Sequence, residues 1–213
     1  MNRELLALFV HDIKNQLGVL EAELYLLEAE PDRPRAHRAH KHCSQLRQRL
    51  IAYLTLYASD DRPMTAQAED ESPLDFLHKL LKVDSRPDGT PLRLGDCSGA
   101  PPFWYFDARL VLLAMEAALH NAWRFARSDV LIGASQVEGY LVFSVEDDGL
   151  GLGAKDPSGR SSTGLGMELC AAVARAHTNG ERQGRVLLAP RAQRDSHLGG
   201  ANLGGTKFEI WLP

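Results

Sequence analysis

The chain has 213 residues, 44% hydrophobic and 24% charged, with a formal net charge of −4. Such proportions fit an ordinary globular protein with room for one large domain or two small ones, and the acidic balance argues against nucleic acid as a partner. Cys43, Cys97 and Cys170 stand far apart with no CxxC pair, which offers neither a zinc site nor a disulfide framework and suits a reducing cytoplasm.

No apolar run approaches the roughly 18 residues needed to span a bilayer. Glu4, His11 and Asp12 interrupt the N-terminus, so it does not read as a signal peptide. The expectation is a cytoplasmic chain with no membrane span and no membrane sensor of its own.

Residues 2–29 read as one helix. Its apolar positions Leu6, Val10, Ile13, Leu17, Leu20, Leu24 and Leu27 are spaced 4, 3, 4, 3, 4, 3, an a/d heptad seam. His11 follows an a position and so lies at the seam's edge, with Asp12 beside it and Asn15 one turn on. Alone, that is a surface histidine on a bundle helix; it is also what a phosphorylatable histidine needs. The prolines of Pro31-Asp32-Arg33-Pro34 end the helix. A second helix is expected from about 35 to 58, with Ala39, Cys43, Leu46, Leu50, Tyr53 and Tyr57 again at heptad spacing. One such hairpin buries a single stripe per helix; two from two chains make a four-helix bundle, so a homodimer is expected. The basic run Arg33–Arg49 reads as a solvated helix face, with partner docking as the alternative.

Asp60–Glu71, rich in charge, proline and alanine, reads as a linker. Beyond it the pattern mixes helix and strand. Ser72-Pro73-Leu74-Asp75 starts a helix with a cap and an N1 proline. Strands are expected near 92–96, 130–134, 140–146, 185–188 and 206–211. A long helix runs from its cap Asp107 to about Ala126, and another from Thr163 to about Ala176. This order suggests an α+β sandwich. The domains are therefore 1–60, a helical hairpin; 61–71, a linker; and 72–213, an α/β sandwich.

Two glycine motifs carry the chemistry. Glu146-Asp147-Asp148-Gly149-Leu150-Gly151-Leu152-Gly153 ends a strand: the glycines admit a planar ligand close to the backbone, and a carboxylate there accepts a hydrogen bond from an exocyclic amine. Thr163-Gly164-Leu165-Gly166-Met167 opens a helix, whose free N–H groups and positive dipole end suit a phosphate. The chain closes on Gly204-Gly205-Thr206-Lys207-Phe208-Glu209-Ile210-Trp211-Leu212-Pro213, an alternating strand after a glycine pair.

With the His11 segment, these motifs make the chain resemble the sensor histidine kinases: a dimerisation and phosphotransfer hairpin followed by an ATP-binding domain of the type shared with gyrase. The resemblance implies that His11 is the phosphoacceptor, Asp12 its general base, and Asn15 the group that orients water for dephosphorylating a partner regulator. It implies that Asp147 binds the adenine amine, with Gly149 and Gly151 shaping the pocket. Gly164, Leu165 and Gly166 would hold the phosphates, with Arg124 and Thr206 also at the nucleotide. Asn121 matches the asparagine that coordinates Mg²⁺ on the triphosphate, and Glu116 is the acid of the same helix. ATP and Mg²⁺ are the implied cofactors, and a response-regulator receiver domain is the implied partner, with room for a separate sensor protein.

The departures are specific. The family carries a second Asn or Glu four residues before the magnesium asparagine; here that position is Ala117, and the acid is displaced to Glu116. Five residues along a helix turn about 500°, so Glu116 and Asn121 point about 140° apart, whereas Glu116 and His120 share a face. The lid between Gly153 and Gly164 is short and lacks phenylalanine, and Pro190–Leu203 is longer than the family needs. The leading expectation is an ATP-dependent protein histidine kinase acting on a regulator's aspartate, with a phosphatase activity toward that regulator also implied. A phosphotransfer adaptor with a degenerate kinase site is the alternative. A serine kinase of the anti-sigma-factor kind would leave the hairpin unexplained.

Overall fold

A computed structural model describes residues 3–57, 64–82, 90–153, 164–191 and 204–213, the side chains of residues 3–9, 12, 41, 45, 48, 49 and 57 apart. The chain forms two compact units, Met1–Arg62 and Pro63–Pro213.

The first unit is a hairpin of α1 (Arg3–Ala29) and α2 (Arg33–Tyr57). Asp32 caps α2: its carboxylate accepts from the Arg35 N–H at 3.3 Å and its carbonyl from the Ala36 N–H at 2.9 Å. The second helix thus starts two residues earlier than expected, because Pro34 sits in the first turn, where its missing N–H costs nothing.

The heptad seam divides. Within one hairpin the covered stripe of α1 is Ile13, Gln16, Leu20, Glu23 and Leu27, facing Ala39, His42, Leu46 and Ala52. His42 Nδ1 and Glu23 Oε2 meet at 2.8 Å inside this contact. Val10, Leu17 and Leu24 (55%, 44% and 49% exposed) are left on the surface, as are Leu50 and Leu54. Cys43, expected in the seam, is exposed. No described helix is long and apolar enough to cross a membrane.

The second unit runs β1 (Glu69–Glu71), α3 (Pro73–Lys82), β2 (Leu92–Leu94), β3 (Trp104–Phe106), α4 (Ala108–Phe125), β4 (Val130–Val137), β5 (Tyr140–Asp147), α5 (Leu165–Ala176), β6 (Thr178–Asn179), β7 (Arg182–Gln183), β8 (Arg185–Pro190) and β9 (Thr206–Leu212). The main sheet has the order β2-β4-β5-β9-β8. Its one parallel pair, β2 with β4, is bridged by the crossover through α4, as a parallel pair requires. The remaining pairs are antiparallel, and α3, α4 and α5 pack on the sheet. Leu141, Phe143 and Val145 of β5 alternate into the core, where Phe143 meets Phe76 and Phe106 at ring distances of 5.1 and 5.5 Å. The fold consists of a helical hairpin and an α+β sandwich.

Other elements also differ from the expectations. The tail of the expected linker is folded: β1 pairs antiparallel with β3, and the Gln67 N–H donates to Asp107. An acidic triplet carries no apolar alternation, so its strand is set by pairing with Trp104-Tyr105-Phe106. The β6–β7 hairpin was likewise unmarked. The described helix after the second glycine motif begins at Leu165, with Gly164 at its N-cap, and the expected start at Thr163 lies outside the described residues. The lid 154–163 and residues 192–203 of the expected insertion lie outside the described residues.

Candidate functional site

In the hairpin, His11 is exposed on α1, and the Asn15 side chain reaches back one turn to place Nδ2 3.1 Å from His11 Nδ1. Asp12 lies on the same helix, its side chain outside the described part.

In the second unit the site is built on α4. Its N-cap, Asp107, is 2% exposed and accepts from the Arg109 and Leu110 N–H groups at 3.0 and 3.2 Å and from Gln67 at 2.9 Å. Burial alone would raise this carboxyl's pKa; the backbone N–H donors and the Arg109 guanidinium outweigh it and hold it low. The Asp107 N–H donates to Nε2 of buried His177 at 3.0 Å, while His177 Nδ1 donates to the Val173 carbonyl at 2.8 Å. One ring nitrogen donates and the other accepts, so this imidazole is neutral, and burial lowers its pKa. The start of α4 is thereby pinned to the end of α5.

Further along, Val111, Ala114, Met115, Ala118, Leu119, Ala122 and Trp123 bury the core face of α4. Asn121 and Ala117 lie on the opposite side, against the first turn of α5: a Cβ built on Gly166 would stand 3.7 Å from Asn121 Nδ2 and 3.9 Å from the Ala117 Cβ. Glu116, His120 and Arg124 are partly exposed on the same helix, Arg124 with its guanidinium over the Phe125 ring.

Gly164 stands at the N-cap of α5 with φ +70°, a left-handed conformation that glycine adopts without strain, and among the described residues no side chain caps the helix. Gly166, in the first turn whose N–H groups have no partner within the helix, lies beside Asn121.

Asp147, 5% exposed, ends β5. Its Oδ1 accepts the Gly149 N–H at 2.8 Å. Burial, more than any other influence, raises its pKa; N–H donors from Gly149 and Thr206 and the charge of Arg191 pull the other way. A Cβ at Gly149 would collide with the Phe125 carbonyl oxygen, so only glycine lets the loop pass the end of α4. Gly205 packs equally closely on the Asp147 carbonyl, and Gly151 lies beside Gly205. Asp147, Gly149, Gly151 and Thr206 therefore gather at one sheet end. Asn121, Gly164, Leu165 and Gly166 gather at the junction of α4 and α5.

Sequence reasoning assigned Asp148 no role. Its carboxylate accepts from the Arg127, Ser128 and Asp129 N–H groups (2.8, 3.1 and 3.2 Å to Oδ1) and from the Ser128 hydroxyl at 2.5 Å. Desolvation opposes ionisation, but these donors prevail and hold its pKa at about 2. The doublet divides the labour: Asp148 ties the α4–β4 turn to β5, and Asp147 holds the glycine loop through the Gly149 N–H. Asp148→Ala should cost about 1–2 kcal/mol, the charged hydrogen-bond range discounted for partial exposure. The folded pKa lies below the ordinary 3.8. The contribution is therefore whole above about pH 4 and lost as pH falls toward 2. Urea titrations of both proteins at pH 7 and near pH 2 check this: the difference should shrink in acid, and an equal difference at both pH values would remove Asp148 as the clamp.

No cluster of three or more His, Cys, Asp or Glu residues among the described residues would cage a metal. The amide of Asn121 offers one oxygen donor of the kind Mg²⁺ takes.

No family model and no curated protein matches the sequence. Solved structures do match the fold. The histidine kinase AdeS of Acinetobacter baumannii superposes with a TM-score of 0.65 over 95% of this chain and 96% of its own, at 19% identity. The histidine kinase ThkA, in complex with response regulator protein TrrA, covers 99% of this chain and 61% of its own at TM-score 0.59 and 13% identity. The nucleotide-free catalytic domain of ThkA covers 69% of this chain and 95% of its own, at TM-score 0.51 and 14% identity. The fold is that of a histidine kinase catalytic core.

Proposed function

We propose that this chain is an ATP-dependent protein histidine kinase that phosphorylates His11 and passes the phosphoryl group to an aspartate on a response regulator. The observation that carries this reading is the meeting of Asn121 with the open turn at Gly164–Gly166, in a unit whose sheet ends on buried Asp147. The likeness to AdeS and ThkA supports it at the level of fold.

In this reading Asp147 accepts the exocyclic amine of adenine. The loop at Gly149 and Gly151 lies under the base, with Thr206 at its edge. The first N–H groups of α5 take the phosphates, with Arg124 as an added cation. Asn121 holds Mg²⁺, which when bound neutralises charge on the triphosphate. His11 offers a ring nitrogen, Asp12 takes its proton, and Glu116 serves as the acid of α4. Asn15 orients water when phosphate is removed from the regulator. The hairpin 1–60 is the phosphotransfer domain and 72–213 the catalytic one; the free cysteines and a regulator partner support a cytoplasmic location. Incubation with ATP labelled in the γ-phosphate should label the wild-type chain and not His11→Gln. Equal labelling of both would move the acceptor elsewhere.

One observation favours a second reading. Ala117 faces Gly166 where a further metal ligand would stand, which suits a phosphotransfer adaptor that receives phosphate only from a regulator. The intact adenine and phosphate turns favour the kinase.

The reading includes a homodimer. Val10, Leu17 and Leu24 form an exposed apolar stripe that a second hairpin would cover. Leu17→Glu puts a charge there and should yield monomers that still bind ATP. Sedimentation velocity checks it: a wild-type monomer, or a dimeric Leu17→Glu, would contradict the bundle.

A further inference from the structure

Asn15 is an exposed residue in the middle of α1, with weak helix propensity and no part in the buried stripe of the hairpin. Its amide meets His11, from Nδ2 to ring Nδ1 at 3.1 Å. Residues four apart on a helix are neighbours, so the backbone itself holds the two side chains together. That contact has a chemical consequence, because a neutral imidazole carries its proton on one ring nitrogen and a lone pair on the other.

We infer that Asn15 is a positioning residue for His11: its amide sets which ring nitrogen holds the proton, and so whether Nε2 is a nucleophile. This deepens the reading of His11 as phosphoacceptor and rests on it. When Asn15 donates Nδ2–H to Nδ1, the ring proton sits on Nε2 and that nitrogen cannot attack. When the amide turns over, Oδ1 accepts Nδ1–H and the Nε2 lone pair points outward. The two ends of an amide have nearly the same shape, so little but the ring's proton distinguishes the two states.

The same contact governs the bond-making steps. Nε2 attacks the γ-phosphorus of ATP; the Nε2–P bond forms, and the P–O bond to ADP breaks with its electron pair leaving on ADP. During the attack Nδ1–H donates to Asn15 Oδ1; the proton then passes to Asp12, the base, and returns to Nδ1 to give the phosphoimidazolium from which phosphate moves on. When a regulator's carboxylate oxygen then attacks phosphorus, the Nε2–P bond breaks toward the ring, which departs as neutral imidazole. An amide turned to donate Nδ2–H instead favours the deprotonated phosphoimidazole, a poorer leaving group.

Asn15→Asp and Asn15→Leu separate this role from a structural one. Aspartate only accepts, so it should drive His11 to the Nδ1–H tautomer and retain phosphorylation by ATP. Leucine has the size but no hydrogen bond, so the tautomer ratio should relax toward that of free histidine. The initial rate should then fall about 3- to 10-fold, the scale of one hydrogen bond. The tautomers are read by nitrogen-15 NMR of the neutral imidazole in the full chain, with no nucleotide present. Identical His11 tautomer ratios in all three proteins would overturn the inference. Ratios that shift as expected while no protein takes label from ATP would uphold the positioning role and fail the kinase reading instead.

Discussion

Asn121→Ala should abolish detectable phosphorylation of His11 by ATP, while His120→Ala should leave most of it. Losing a group that stabilises developing charge costs about 10²–10³ in rate. Here no neighbour would compensate, because the residue one turn earlier is Ala117. The two residues are adjacent in sequence but about 100° apart around α4. Asn121 is the one whose amide stands 3.7 Å from the Cβ position of Gly166, at the first turn of α5. Phosphate delivered to His11 from a phosphorylated regulator should survive Asn121→Ala, because that route bypasses the nucleotide. The reverse pattern, with His120→Ala inactive and Asn121→Ala active, would make Glu116 and His120 the working pair. An adaptor would be indifferent to both changes and would take no label from ATP at all.

Asp147→Asn should weaken ATP binding by about 1.5–3 kcal/mol, roughly 10- to 150-fold, without unfolding the unit. The swap keeps the shape and leaves an oxygen for the Gly149 N–H, but it replaces an acceptor with a donor where the adenine amine approaches. The fold should tolerate it, since burial already opposes ionisation of this carboxyl and the amide removes a buried charge. The pH dependence follows from the same shift. Because the pKa is raised above the ordinary carboxylate value, ATP affinity of the wild type should fall on acidification at a higher pH than an ordinary aspartate would impose, and that part of the dependence should vanish in Asp147→Asn. Calorimetric titration with ATP reads both effects; equal affinity in the two proteins would remove Asp147 from the site.

Much of this architecture can be read from local pattern. The caps Asp107 and Ser72, the alternation of β5 and β9, and the glycine turns all act over a few residues, and the structure places each near its expected position. Contacts between distant residues are another matter. The hydrogen bond from the Asp107 N–H to His177 spans 70 positions, and the Asp148 clamp spans about 20, so neither leaves a local signature. The heptad seam misleads in a more interesting way. A spacing of 3 and 4 says that a stripe is apolar, not which neighbour covers it; Gln16, Glu23 and His42 sit in the hairpin contact while Leu17 and Leu24 face out. The position at Ala117 was visible as a departure in sequence. Only the packing of Gly166 against it places it at the α4–α5 junction.

Whether ATP leaves phosphate on this chain, and on which residue, decides the kinase reading. The most direct measurement is incubation with ATP and Mg²⁺, followed by acid and base treatment of the labelled protein and mass-spectrometric location of the modified residue. Phosphohistidine is lost in acid and survives base. The account predicts an acid-labile, base-stable phosphate on His11, absent from Asn121→Ala. An acid-stable phosphate on serine or threonine, or no phosphate from ATP at all, would contradict it.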